Sequence, residues 1–304
     1  MRTDCRSVVL ASLAADALAL GAHWIYDTQQ IDAQIGRVDQ LRTPLPSSFH
    51  TTKKQGDFTH YGDQTVLLLA FLAETGRFDS PLFSRRWQVF FADYDGYRDH
   101  ATKETLQRLE EGRLPDEAGS ESSDLGGAAR IAPLVYHYHR DRDALEAAVR
   151  QQTALTHRNP DVGDSAAFFA RVTTSVLGGQ EPLQALQDVL QHEYDRSPFD
   201  RWVTRGIESR GSTTREAIKQ FGQACDVAAA FPGVVHLIAK YQDNPRTGLI
   251  ENVMAGGDSA ARGLLAGMIF GAYAGREAVE PNWVAGLNDL GRIESYLDRL
   301  AAAG

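Results

Sequence analysis

The chain has 304 residues, with 31 Lys+Arg against 40 Asp+Glu and a formal charge of −9. That acidic balance argues against nucleic acid or an anionic membrane as a main partner, and 43% hydrophobic with 23% charged residues excludes a chain disordered throughout. Two cysteines, Cys5 and Cys225, provide neither a disulfide framework nor a Cys-rich zinc site, so a reducing cytoplasm is the expected setting.

Apolar residues recurring every three to four positions predict helices over 5–22, 63–75, 81–94, 99–111, 126–138, 141–155, 163–178, 182–193, 213–222, 227–241, 246–254, 259–275 and 287–302. The first contains an apolar run from Val8 to Ile25 that follows Arg2 and Arg6 in the manner of a signal peptide. Asp16 interrupts that run, and a charge at a bilayer centre costs roughly 2.5–3.5 kcal/mol. The segment is therefore expected as a mature helix that carries Asp16 into a polar site, or as a buried helix with one capped or exposed Asp. Asp79-Ser80-Pro81 and Asp141 read as helix starts, and Gly76, Gly112 and Gly178-Gly179 as helix ends.

Two gaps remain, 26–60 with Pro44, Pro46, Ser47 and Ser48, and 112–124 with Pro115, Gly119 and four acids. The second reads as a mobile surface loop. Strand alternation, short repeats and a linker that splits the chain are all missing from the pattern. One all-α, multi-helix domain over 1–304 is the simplest organisation. Near the end, Gly263, Gly267, Gly271 and Gly275 recur every fourth residue and leave a helix stripe without side chains. Each internal glycine costs roughly 1 kcal/mol against alanine, so the stripe predicts close approach of another helix. The uncharged run there is too short to span a membrane.

Five segments carry candidate chemistry. Gly62-Asp63-Gln64-Thr65 and Gly256-Gly257-Asp258-Ser259 each set an acid and a hydroxyl at a helix start, where they serve as caps or as ligands for a hard cation. Asp63 and Asp258 are 195 residues apart, so only the fold can unite them. Asp16 through Asp27 joins an acid to a glycine and an aromatic cluster, in which Trp24 and Tyr26 stack on a base or sugar or pack in the core. Asp124-Leu125-Gly126-Gly127 offers paired glycine amides to a phosphate, or forms a plain turn into a helix. Thr156-His157 closes a helix, with His157 a ligand, a substrate donor or a helix-end cation.

Their order resembles the ADP-ribosylglycohydrolase family, which includes the J1 crystallins. The matching stretches are Ala15-Asp16-Ala17-Leu18 with Gly21, Gly62-Asp63-Gln64-Thr65, Gly126 through Pro133, Thr156-His157, and Gly256-Gly257-Asp258-Ser259-Ala260-Ala261 ahead of a glycine-rich helix. The resemblance implies an all-helical fold with a central cleft that hydrolyses the glycosidic bond of an ADP-ribosyl group. It also implies two Mg²⁺ or Mn²⁺ ions held between the two Asp motifs. On that basis Asp63, Asp258 and Asp124 are candidate catalytic residues, with Asp124 a candidate general base. Asp16, Trp24, Gly126, Gly127 and His157 are candidate substrate contacts.

The departures fall on the metal ligands. Where the family has two acids in each motif, this chain has Asp63 with Gln64 and Asp258 with Ala260; the final Thr is Ala261. Asp63, Thr65, Asp258 and Ser259 are the ligands left, and at most one Mg²⁺ or Mn²⁺ is expected, or none. Arg262 is a candidate to fill a lost metal's space by bracing Asp63 or Asp258. The expected activity is hydrolysis of an ADP-ribosylated protein or a small ADP-ribosyl or nucleotide ligand. The alternatives are a non-hydrolysing ADP-ribose or nucleotide binder and a crystallin-like structural protein.

Overall fold

The computed structural model describes residues 5–194 and 198–303. Helices follow one another as α1 (Arg6–Leu20), α2 (Thr28–Gln34), α3 (His60–Thr75), α4 (Ser80–Ala92), α5 (His100–Glu110), α6 (Gly126–Ala129), α7 (Ala132–Tyr138), α8 (Arg142–Ala154), α9 (Pro160–Leu177), α10 (Pro182–Glu193), α11 (Phe199–Glu208), α12 (Thr214–Phe221), α13 (Val227–Tyr241), α14 (Pro245–Met254), α15 (Ser259–Ala274), α16 (Pro281–Ala285) and α17 (Leu290–Ala303). Among the described residues, strand-like pairing is limited to two isolated bridges, Ser120 with His157 and Asp124 with Asp226. The protein is all-α, and one hydrophobic core connects residues from Val8 to Leu300. No helix among the described residues is long and apolar enough to cross a membrane.

Local chemistry sets most boundaries. Asp79 accepts from the Leu82 amide ahead of Pro81, Asp141 accepts from Ala144, and Thr213 with Glu216 forms a full capping box. Gly76 closes α3 in the left-handed region at φ 69°. Several elements differ from the sequence pattern. Helix α3 begins at His60, because Thr59 caps it by accepting from the Tyr61 amide, so Asp63 lies in the first turn and caps nothing. The 126–138 stretch is two helices, with Pro133 opening the second. Helices α2, α11 and α16 are additions to the expected set; α2 lies inside the 26–60 gap, and the buried face of α11 is four residues, Phe199, Trp202, Val203 and Gly206.

The 112–124 loop is not free at its far end. The Ser120 amide donates to the Thr156 carbonyl at 3.0 Å and the Arg158 amide to the Ser120 carbonyl at 2.7 Å. The Leu125 amide donates to Cys225 and the Val227 amide to Ser123, both at 2.8 Å. These bonds correct the reading of a mobile loop, and they fix Asp124 beside the start of α13.

The glycine stripe does what its spacing predicts. Helices α1 and α15 run antiparallel in contact. A Cβ on Gly263 would lie 3.3 Å from the Ala15 carbonyl oxygen, one on Gly267 2.6 Å from that of Ala11, and one on Gly271 closer still to that of Ser7. The antiparallel sense brings Asp258, at the start of α15, next to His23 and Trp24, just past the end of α1. Backbone bonds lock the junction: Trp24 N–H to the Gly257 carbonyl at 3.0 Å, and Gly257 N–H to the Ile25 carbonyl at 2.9 Å.

Candidate functional site

Asp258 caps α15, its Oδ1 accepting from the Ala261 amide at 3.1 Å. Its other oxygen faces outward from that role. The Tyr61 hydroxyl lies 3.3 Å from Asp258 Oδ2 and 3.1 Å from Asp124 Oδ2. Asp124, Asp258 and the Cys225 thiol each present an atom within 4.8 Å of the other two. A phenol has one proton, so it cannot donate to two carboxylates at once. A second proton on the acid pair satisfies the geometry. Burial and the neighbouring Asp258 push Asp124 well above the usual carboxylate range. Burial also raises Asp258, and the Ala261 amide and the charge of Arg262 offset that rise only in part. Burial and the two acids push the Cys225 thiol up, which keeps it protonated.

Arg262 is fully buried. It does not point to solvent, but neither does it brace an acid directly as the sequence suggested. Its Nε donates to Asn252 Oδ1 at 3.0 Å and one terminal nitrogen to the Gly256 carbonyl at 2.6 Å. It supports the loop that carries Asp258 and acts on that carboxylate only through its charge. Burial draws its pKa down to about 10, so it stays cationic at neutral pH.

Asp63 stands apart from that group. Its Oδ2 is held by the Lys53 ammonium at 2.6 Å and the Tyr94 hydroxyl at 2.5 Å. Burial raises its pKa, and Lys53 and Tyr94 oppose the rise. Gln64, at the family's second acid position, turns inward: its Oε1 accepts from Trp87 Nε1 at 2.9 Å and from Arg130. Thr65 bonds back to the Tyr61 carbonyl at 2.9 Å. The Ser259 hydroxyl is buried without a partner among the described residues, while Lys53 and Tyr94 both bond Asp63 at its Oδ2, where Lys53 already supplies a positive charge. These residues do not fit a pair of Mg²⁺ or Mn²⁺ ions: the one remaining acid of the first motif already has a cation.

The other sequence candidates fall on both sides of the site. Both Asp16 oxygens accept from Thr59, Oδ2 from its amide at 2.8 Å and Oδ1 from its hydroxyl at 2.6 Å. Asp16 thereby anchors the cap of α3, and burial pushes its pKa up to about 7. The Gly126 amide is engaged by Asp124 Oδ1 at 2.7 Å rather than being free for a phosphate. The glycine pair has another use: a Cβ on Gly126 would strike the Tyr61 ring, and one on Gly127 would come within 2.5 Å of the His157 ring. His157 is buried, its Nδ1 is 2.8 Å from the Thr156 hydroxyl, and its Nε2 has no partner. Burial and the Arg130 charge lower it to about 3.

Above the acids lies an aromatic wall. Trp24 takes the left-handed backbone conformation at φ 63°, a costly setting for a bulky residue. Its ring lies 5.0 Å from that of Tyr97 and 5.4 Å from that of the exposed Phe49. Trp24, Tyr26, Phe49 and His23 border a hollow of about 400 Å³, within the size range of small-ligand sites.

Sequence reasoning missed three imidazoles in this wall. His23, His50 and His60 are all buried and offer nitrogens within 4.8 Å of one another. They come from three separate segments with no motif spacing. The one available signal was the presence of His23 and His60 next to motifs already singled out. Lys53 and Tyr94 were missed for the same reason.

The chain is similar to known proteins along its whole length. The model of the ADP-ribosylglycohydrolase family matches residues 2–304. Crystallin J1A of Tripedalia cystophora is 22% identical over 97% of this chain and 95% of its own, and crystallin J1B of the same animal is 23% identical over 94% and 92%. An uncharacterized protein of Archaeoglobus fulgidus is 24% identical over 99% and 96%. A solved structure described as an ADP-ribosylglycohydrolase-related protein complex superposes with a TM-score of 0.76 at 21% identity, covering 99% of this chain and 98% of that one, which establishes the shared fold. With its motifs in order along one helical frame and a family match from residue 2 to the end, this chain belongs to the ADP-ribosylglycohydrolase family.

Proposed function

We propose that the protein hydrolyses the glycosidic bond of an ADP-ribosyl or related ribosyl substrate at the Asp124–Tyr61–Asp258 group. The observation that carries this reading is the shared Tyr61 hydroxyl. It holds two carboxyls with unequal affinity for one proton, the division of labour that glycoside hydrolysis needs. Asp124, half-buried and pushed up, carries the proton. Asp258, also raised by burial but less so because an amide and Arg262 oppose the rise, is the base.

Asp124 gives its proton to the departing nitrogen or oxygen as the anomeric C–N or C–O bond breaks. Once the leaving group has departed, Asp258 takes a proton from a water whose oxygen bonds the anomeric carbon from that same side, because carboxyls within 4.8 Å of each other are too close to flank the sugar ring. The proton then returns from Asp258 to Asp124 through Tyr61 or solvent. Trp24, Phe49 and Tyr97 supply faces for the adenine or ribose. Asp63, neutralised by Lys53, has no step in this scheme, and none runs through a metal ion.

The test is release of ADP-ribose from ADP-ribosyl-arginine, ADP-ribosyl-serine and poly(ADP-ribose), with and without Mg²⁺. Turnover that survives EDTA supports the reading. Absence of release under every condition, with ADP-ribose still bound by calorimetry, replaces it with the non-hydrolysing binder. That second reading is favoured by one observation: Lys53 sits where the family's metal-bound acid would otherwise be open.

A further inference from the structure

We infer that His23, His50 and His60 form a binding site for one divalent transition-metal ion of the zinc class, distinct from the family's Asp-motif positions. The three side chains are 2%, 0% and 1% exposed, and none of their six ring nitrogens has a hydrogen-bond partner among the described residues. Desolvating so many nitrogens without a return is unfavourable. Phenylalanine would fill the same space without that penalty, so packing alone does not account for three imidazoles.

The geometry suits an ion. One nitrogen of each ring lies within 4.8 Å of the others, so an ion centred among them is no more than ~2.8 Å from each, against ~2.0–2.1 Å in a formed Zn–N bond. Small rotations of the rings close the difference. The ring centroids are 5.3, 5.8 and 6.3 Å apart, and Trp24 stacks over two of them, 4.3 Å from His23 and 5.6 Å from His50. Burial keeps His23 well below its usual pKa and His50 down at about 3, so both are neutral ligands at physiological pH.

The surroundings supply what a ligand shell needs. Asp99 Oδ2 lies 3.3 Å from His60 Nε2, close enough to pair electrostatically though not aligned as a hydrogen bond, and Asp258 Oδ1 lies 3.8 Å from His23 Nδ1. Carboxylates beside ligand imidazoles orient them and offset the ion's charge. Three imidazoles select zinc-class ions over Mg²⁺, whose ligands are oxygens. His23 also borders the 400 Å³ hollow, which gives the cluster a neighbouring ligand-sized space. The inference does not rest on the hydrolase reading, because it concerns binding alone.

The test uses the full chain, stripped with EDTA and dialysed. Zn²⁺ is titrated by calorimetry, Co²⁺ by visible absorption, and Mg²⁺ serves as control. One Zn²⁺ per chain is expected, with a raised Tm, no response to Mg²⁺, and the intense visible bands of tetrahedral Co²⁺ without a thiolate charge-transfer band. His50→Gln and His23→Gln, checked for folding by circular dichroism, should each lose stoichiometric binding. Asp99→Asn should weaken it by about 10- to 100-fold, and Cys225→Ser should leave it unchanged. Zn²⁺ binding that survives both histidine substitutions, or that vanishes in Cys225→Ser, overturns the site by moving the ion to Asp124, Cys225 and Asp258. Failure of the wild type to bind Zn²⁺ overturns it outright. Neither result decides the activity assays, whose readout is ADP-ribose release and not Zn²⁺ binding.

Discussion

Lys53 Nζ sits 2.6 Å from Asp63 Oδ2, both side chains largely shielded from water. The only acid of the first family motif therefore meets a resident ammonium. Removing that partner leaves a poorly solvated carboxylate alone. Lys53→Met should destabilise the fold by on the order of 2–3 kcal/mol, less than the ~3–5 kcal/mol of a fully buried pair. Lys53→Met/Asp63→Asn should recover much of the loss in denaturant titrations. In the wild type, Mg²⁺ should leave Tm unchanged. A clear Mg²⁺-dependent rise in the wild type would show that oxygen ligands are free after all.

Asp124→Asn should lower kcat/KM by roughly 10²- to 10⁴-fold, the range for a lost proton donor, while ADP-ribose affinity is largely kept. Because burial and Asp258 raise the Asp124 pKa, wild-type activity should fall as pH rises through a limb above the usual carboxylate range. That limb should disappear from the residual activity of the Asn variant. A pH–rate profile identical in both enzymes would assign the proton elsewhere.

Trp24 is part of the hollow's wall, whereas Trp87, Trp202 and Trp283 are buried. Ligand seated there should quench or shift the fluorescence of Trp24 and leave the other three unaffected. Trp24→Ala should weaken ADP-ribose binding by about one to two orders of magnitude, the scale of base–aromatic stacking. An unchanged Kd would remove Trp24 from the binding surface.

Asp16 gives a pH dependence of stability. Its pKa is about 7 in the fold against 3.8 when exposed, so between those values the folded state holds a proton that the unfolded chain has lost. A carboxyl raised in this way stabilises fully below its unfolded value. That contribution is lost as pH rises from about 4 to about 7, at ~1.4 kcal/mol for each pH unit crossed. Thermal melts across this range should show the decline in the wild type and a shallower one in Asp16→Asn. Parallel curves would mean that Asp16 does not titrate there.

The seam between α1 and α15 offers a graded series. Alanine at Gly263, Gly267 and Gly271 should be increasingly destabilising in that order, because the new Cβ meets a carbonyl at 3.3 Å, then 2.6 Å, then closer. Overpacking typically costs ~1–3 kcal/mol and is offset only in part by the ~1 kcal/mol gain in helix propensity. Equal melting temperatures for all three would show that the helices simply part.

The helical frame was largely legible from residue order, because caps such as Asp79 and Asp141 and the glycine seam act locally or with a fixed period. Helix α11 is absent from the expected set although Phe199, Trp202, Val203 and Gly206 stand at helical spacing, because its ten residues fall short of the roughly 11–18-residue window over which that spacing reads as a helix. Asp124 and Asp258 were legible as separate acids. Their joint hold on Tyr61 was not, because it depends on a bridge between residues 124 and 226 that no local pattern encodes. The histidine cluster was hidden for a related reason: His50 lies in a Pro- and Ser-rich stretch that reads only as loop. The roles of Gly126 and Gly127 were open between phosphate binding and a plain turn, and the deciding contacts with the Tyr61 and His157 rings are long-range.

The antiparallel seam of small residues has one more implication. It fixes the register between the last turn of one helix and the first turn of another through backbone contact, with no help from the side chains that do chemistry. Ligand positions on either side can therefore be exchanged, as Ala260 and Ala261 illustrate, while the frame that aims them stays put. A scaffold with that separation is a mount on which different reaction centres can be tried in turn, and the buried imidazoles of this chain occupy the same mount as its acids.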